Sequence, residues 1–214
     1  MYDLQKLKTE ALEDALNLSI PVCDSHGNII AKLVPIGDWA LNDQNLLICF
    51  SDWRKKFMSL FLTQFKASVE STIQYLNQYS ISQKNRIFFG IYIEKTLFGH
   101  IGLSNITSNK AELDNMIRGK SGGHKDLIFF TEKTILEWAF KELKIKKVEA
   151  QVLSKNFLAK NLHKGFGFTI KERKSLKKVY SKSAISLQPC DEKDATEKFF
   201  LDVMELDKND FIFS

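Results

Sequence analysis

The chain has 214 residues, 44% of them apolar and 12% aromatic, with only three prolines, enough to bury one substantial core in a single domain. Its net charge of +5 is modest, and no apolar run approaches the ~20 residues of a membrane-spanning helix, so neither nucleic-acid binding nor membrane insertion is expected. Cys23, Cys49 and Cys190 are widely spaced with no CxxC, which supports neither a disulfide framework nor a metal site.

The opening MYDLQKLKTEALEDAL carries acids among its apolar residues, unlike a signal or transit peptide, so the expected address is the cytoplasm. Asp3 to Leu18 has the spacing of an amphipathic helix, and IPVCDSHGNIIAKLVPI has two apolar runs around a turn, a hairpin. Residues 44–78 read as helix in pieces, with Ser68 and Ser71 as candidate starts. RIFFGIYIE (86–94) and TLFGHIGLSNI (96–106) read as adjacent antiparallel strands. Lys110 to Arg118 is a third strand; alternation puts Glu112, Asp114, Met116 and Arg118 on one face and Ala111, Leu113, Asn115 and Ile117 on the other.

Residues 118–126, RGKSGGHKD, follow, and then a helix over Leu127–Leu143 with a wide apolar stripe including Ile128, Ile135 and Ala139. Gly119-Lys120-Ser121 matches the end of a nucleotide-triphosphate loop, but that motif needs a glycine where Asp114 stands. The glycines still suit a backbone cradle for phosphate, since successive N–H groups can converge where no Cβ obstructs them, and the helix start adds about half an elementary positive charge. A strand at 147–154 and a helix capped by Asn156 come next. Strands near 168–173 and 178–187 make a last hairpin, whose basic run Lys171–Lys178 is expected on a solvated strand edge because no aromatics interleave it for base stacking. The tail from Asp191 to Asp210 is expected to be a surface helix.

The order strand–strand–strand–glycine loop–long helix–strand–Asn-capped helix–Gly-Phe resembles the GNAT acetyltransferase superfamily over about residues 50–188. Ser154-Lys-Asn-Phe-Leu-Ala-Lys-Asn-Leu-His-Lys-Gly-Phe-Gly-Phe168 carries it most specifically: Asn156, Ala159, Leu162, Gly167 and Phe168 fall on the family signature S-x-N-x-x-A-x-x-L-Y-x-x-x-G-F. The chain departs from the family twice. Anchored on the helix start, the family loop Q/R-x-x-G-x-G/A places Gly119, Gly122 and His124 at its first position, first glycine and last small residue, and His163 replaces the tyrosine.

The resemblance implies a mixed α/β GNAT acyl-CoA N-acyltransferase fold, whose central, mostly antiparallel sheet is flanked by helices and splayed between the fourth and fifth core strands. The division expected is an N-terminal helix and hairpin (1–50), the acetyltransferase core (51–188) and a C-terminal helical tail (189–214). It implies acetyl-CoA as cosubstrate, its diphosphate on Arg118, Gly119, Lys120, Ser121, Gly122, Gly123 and His124 and its pantetheine along Asn115, Met116 and Ile117, with Asn156 contacting it too. The N–H near Met116 would face the thioester oxygen, and one such donor is worth ~3 kcal/mol of barrier. Asp114 or Glu112 would take the amine's proton, with Asp114 slightly favoured as nearer the loop. His163, two turns beyond Asn156, would protonate the departing thiolate or contact the coenzyme. Trp53 and Arg54 fall where the family builds its acceptor pocket. The acceptor expected is a small-molecule amine, foremost a nucleotide-linked amino sugar of bacterial surface-glycan synthesis. The runner-up is a protein N-terminus of the ribosomal-protein type, and a non-catalytic acyl-CoA-binding module is the third reading. A homodimer is left open.

Overall fold

The computed structural model describes residues 3–211. In chain order its strands are β1 (Ile20–Cys23), β2 (Ile29–Pro35), β3 (Thr63–Phe65), β4 (Ile87–Ile93), β5 (Thr96–Ser104), β6 (Lys110–Arg118), β7 (Lys147–Leu153), β8 (Thr169–Tyr180), β9 (Ala184–Cys190) and β10 (Leu201–Asp207). The helices are α1 (Leu12–Asn17), α2 (Gln44–Lys56), α3 (Val69–Leu76), α4 (Leu127–Trp138) and α5 (Phe157–Gly165). The strands form one sheet ordered β1-β2-β4-β5-β6-β7-β10-β8-β9-β3. Every pairing is antiparallel except β6 with β7, which α4 joins as a crossover.

Helices cover both faces, which is why β4 reads IFFGIYI without a polar side chain facing water. On one face Leu127, Phe130, Ile135 and Leu136 of α4 pack with Ile87, Phe89, Ile91 and Leu113. On the other, Leu46, Leu47, Phe50 and Trp53 of α2 and Leu76 of α3 pack with Phe88 and Ile117. Local chemistry starts the helices. Asp43 Oδ1 accepts from Leu46 N, and Ser68 with Ser71 forms a reciprocal capping box at α3, so Ser68 is the start and Ser71 its third residue.

The parallel pairing runs from Lys110 opposite Lys147 to Leu113 opposite Ala150 and stops there, although both strands continue. The cause lies at Asn115, which has φ 50°, a left-handed conformation that asparagine tolerates better than most residues. It is the extra residue of a bulge: Gly102 pairs with Asp114 but His100 with Ile117. The bulge corrects the alternation expected for this strand. Ala111 and Leu113 face the α4 core and Met116 packs against that same core, whereas Ile117 lies in the opposite one.

Other expectations change too. Asp3–Leu18 is two short pieces, a 3₁₀ turn at Leu4–Leu7 and α1, rather than one helix. The final hairpin is one long strand, β8, with β9, and its basic residues are largely exposed. The C-terminal tail is not a helix: β10 inserts between β7 and β8, antiparallel to both. Sheet pairing on two sides outweighs the helical look of LDVMELD, and Asp202, Met204 and Leu206 turn inward with Leu201.

Asp202 has a fully buried side chain, held by Lys160 Nζ of α5 at 2.6 Å and Arg173 Nε of β8 at 2.7 Å. Burial pushes its pKa up, and the Arg173 and Lys160 bonds outweigh that, leaving it below the ordinary carboxylate value. A depressed folded pKa means the stabilisation is present above the unfolded value and is lost as pH falls through the folded one. Asp202→Ala is expected to cost about 3 kcal/mol in urea unfolding at pH 7, because it strands two cations around a buried hole, and to cost progressively less as the pH is lowered below ~4.

Candidate active site

The glycine loop is folded around Arg118. Its guanidinium donates to the carbonyl oxygens of Gly122 (2.8 Å), His124 (3.2 Å) and Lys125 (2.9 Å). With those carbonyls gathered by one cation, the amide hydrogens of Ser121 through Lys125 have no acceptor among the described residues. Gly122 (φ 95°) and Gly123 (φ 68°) take conformations that a Cβ would strain. The loop ends at α4, whose residue Asp126 makes no side-chain cap, and Leu127 N donates to His124 O. Lys120 and Lys125 are exposed beside the loop, and the His124 ring packs edge-on to Phe130. Unpaired backbone donors, flanking cations and a helix start fit a diphosphate.

Two of the expected donors are engaged elsewhere. Gly119 N and Lys120 N both donate to Phe98 O, so the cradle begins at Ser121. Gly119 is needed for another reason: a Cβ there would lie 1.9 Å from Trp53 Cε2, so the loop's first glycine lies against the buried Trp53 indole of α2.

Beyond the bulge, the stretch from Asn115 to Arg118 has no β7 partner, which leaves a gap bordered by the two strands and by the helices that follow them, α4 after β6 and α5 after β7. Asn156 caps α5, its Oδ1 accepting from Ala159 N at 3.3 Å. His163 is buried: its Nδ1 lies 2.6 Å from Glu132 Oε1 of α4, and its ring centroid is 5.3 Å from that of Phe168.

The two expected acids share the α2/α3 side of β6, in different states. Asp114 forms an ion pair with Arg86 and accepts from Asn115 Nδ2 at 2.7 Å. Glu112 is half-buried, accepts from Asn105 Nδ2 at 2.8 Å, and burial raises its pKa. Trp53 is buried against Phe50. The Arg54 guanidinium lies 3.6 Å from the Phe61 ring centroid and donates to Thr63 O at 2.8 Å; burial brings its pKa to about 10.

Three residues of this region were not singled out from the sequence. His100 of β5 lies among Phe50, Phe88 and Trp53, and its Nδ1–H donates to the bulge carbonyl of Asn115 at 2.6 Å. Burial lowers its pKa to about 4, so it is a neutral imidazole at pH 7. Tyr75 of α3 accepts from Asn115 Nδ2 at 2.9 Å, and burial raises its pKa to about 12. Glu132 is the third. The available signals were a histidine inside an apolar strand and a carboxylate on the apolar stripe of a helix.

Among the described residues no helix is long and apolar enough to cross a membrane, and no three His, Cys, Asp or Glu side chains converge as a metal site would need. The acetyltransferase (GNAT) domain family matches residues 47–183. No curated protein sequence matches the chain. Among solved structures, the N-acetyltransferase PseH of Campylobacter jejuni matches with TM-score 0.55 and 17% identity, covering 84% of this chain and 99% of that one. Spermidine N-acetyltransferase of Vibrio cholerae, in complex with CoA and spermine, matches with TM-score 0.63 and 16% identity over 85% and 97%. A probable GNAT-family acetyltransferase of Chromobacterium violaceum matches with TM-score 0.63 and 14% identity over 86% and 85%. These likenesses concern the fold.

Gly122→Asp is expected to weaken coenzyme A binding more than tenfold by calorimetry, since it puts a negative charge among the free amides at a left-handed position. The nearest atom to the new Cβ is 3.8 Å away, so the stability loss is confined to the backbone strain at φ 95°, about 1–2 kcal/mol, and the unfolding midpoint should fall modestly.

Proposed function

Since the chain belongs to the GNAT acetyltransferase family and is an acetyl-CoA-dependent N-acetyltransferase, we propose that its acceptor is the primary amine of a nucleotide-linked amino sugar, acetylated in the cytoplasm for bacterial surface-glycan synthesis. The observation that carries this reading is the charge balance of the acceptor side. Asp114 is already neutralised by Arg86, and no carboxylate among the described residues lies within ion-pair distance of Arg54, whose buried Nε has no hydrogen-bond partner. An arginine without a carboxylate partner, set beside aromatic rings, suits an acceptor carrying a diphosphate and a base.

In this reading the free amides of Ser121–Lys125 hold the cosubstrate's diphosphate, with Asn156 beside it. Backbone at Asn115, Met116 and Ile117 holds its pantetheine, and the Met116 amide faces the thioester oxygen. Acetyl-CoA supplies the activated acyl group. Of the two acids, Glu112 is the better proton acceptor, because burial moves its pKa toward neutrality, while Asp114, clasped by Arg86 and Asn115, anchors the cleft. His163 is the proton donor to the leaving sulfur, and Trp53 and Arg54 shape the acceptor pocket.

Free thiol release from acetyl-CoA should be measured with nucleotide amino sugars, with spermidine, with peptides and with no amine. Turnover with the sugars alone is expected. Turnover with peptides alone would favour the N-terminal reading, and coenzyme binding without turnover on any amine the silent module. Glu112→Gln should lower kcat/KM about 10²-fold at neutral pH and remove the acidic limb of the pH profile, with coenzyme affinity unchanged. An unaltered profile would take Glu112 out of the proton path.

A further inference from the structure

Glu132 is fully buried on α4, the helix that follows β6, and its carboxylate meets His163 on α5, the helix that follows β7. The 2.6 Å contact therefore spans the two helices beside the gap where those strands part. Glu132 Oε2 is buried with no hydrogen-bond partner among the described residues. A brace alone does not explain that arrangement, because a buried ion pair adds little stability over packed apolar groups and a bare buried oxygen costs more still. A buried, half-satisfied carboxylate holding one nitrogen of an imidazole beside a cleft is the usual arrangement for setting which nitrogen faces the chemistry.

We propose that Glu132 is a positioning residue for acyl transfer, fixing His163 with Nδ1 on the carboxylate so that Nε2 carries the proton delivered to the leaving sulfur. This rests on the role of His163 in the proposed function. The pair shares its protons. As imidazolium with carboxylate, or as imidazole with carboxylic acid, it is neutral overall, and in both forms Nε2 holds a hydrogen. His163 gives that hydrogen to the sulfur as the amine nitrogen bonds the acetyl carbon and the carbon–sulfur bond breaks. The sulfur keeps the bonding pair, and His163 is left neutral with Nδ1–H on the Glu132 carboxylate. The amine's own proton leaves through the base to water, and Nε2 is reprotonated from water. Burial of the pair lifts Glu132 above its ordinary pKa, the charge and hydrogen bond of His163 partly opposing this, which suits proton sharing. Glu132 is the titratable group facing the imidazole from α4, and on the chain leading into β8 its neighbour is the Phe168 ring.

The test compares wild-type protein with Glu132→Gln and His163→Ala, using steady-state kinetics, coenzyme A calorimetry and nitrogen NMR of the His163 ring. Glutamine keeps an acceptor for Nδ1–H but removes the charge. The expected result for Glu132→Gln is a kcat at least tenfold lower, coenzyme A Kd within threefold of wild type, a basic limb of the kcat profile at lower pH, and a ring titration midpoint lower by a unit or more. An unchanged midpoint and basic limb would reduce the contact to a brace and overturn the proposal. If Glu132→Gln does not fold, the wild-type ring decides: an Nε2 without a hydrogen in the coenzyme-bound protein at the pH of maximal kcat overturns it. His163→Ala with unchanged kcat would remove the donor role itself and the proposal with it. Loss of kcat in His163→Ala but not in Glu132→Gln would remove only the dyad. Absence of turnover with any nucleotide amino sugar bears on the acceptor alone, and the ring NMR still decides the dyad.

Discussion

β6 and β7 hydrogen-bond from Lys110–Lys147 to Leu113–Ala150 and then diverge, because Asn115 adds one residue to β6 in a left-handed conformation and bends it away. That divergence gives the molecule a place to work. Backbone groups that would have completed a ladder are left facing a gap, and an extended thiol-bearing chain can take them as an added strand. The bulge is strained and is held from three directions. His100 donates to its carbonyl, and its amide contacts both Tyr75 and Asp114. Burial in the aromatic cage keeps His100 neutral, outweighing its bond to the Asn115 carbonyl, which favours the protonated ring.

The two faces of the sheet divide the chemistry. The α4/α5 side carries the Glu132–His163 pair, and the amide-rich loop leads into α4. On the α2/α3 face Arg86 pairs with Asp114 and the Tyr75 hydroxyl meets the Asn115 amide, while Arg54 stacks on Phe61. The faces are mechanically joined at Gly119, where the loop lies on the Trp53 indole. Asp202 separately ties α5 to β8 and β10. The position of the glycine loop is thus tied to that of α2.

Much of the layout was legible locally. Strands β4 and β5 are apolar and rich in β-branched and aromatic residues, β6 alternates apolar with polar residues, and α4 carries a wide apolar stripe. Asn156 caps α5, and the capping box at Ser68 starts α3. Charged partners were not legible. Asp114 looked like the better base until Arg86, 28 residues earlier in the chain, proved to hold it. His163 was expected at the coenzyme, but nothing near it in the chain signalled its burial against Glu132, 31 residues away. The β10 strand was misread because LDVMELD has no decisive period, and the slot between β7 and β8 that selects the extended form is built by residues far from it.

By itself the sequence determined the secondary elements with strong periodicity, the glycine loop and the family signature over Ser154–Phe168, because caps, alternation and left-handed glycines act within a few residues. The tertiary structure alone decided where β6 parts from β7, which loop amides stay free, which acid is neutralised and which histidine is paired. Those depend on bulge register, burial and contacts between segments tens of residues apart, and such free energies arise only once the sheet is assembled.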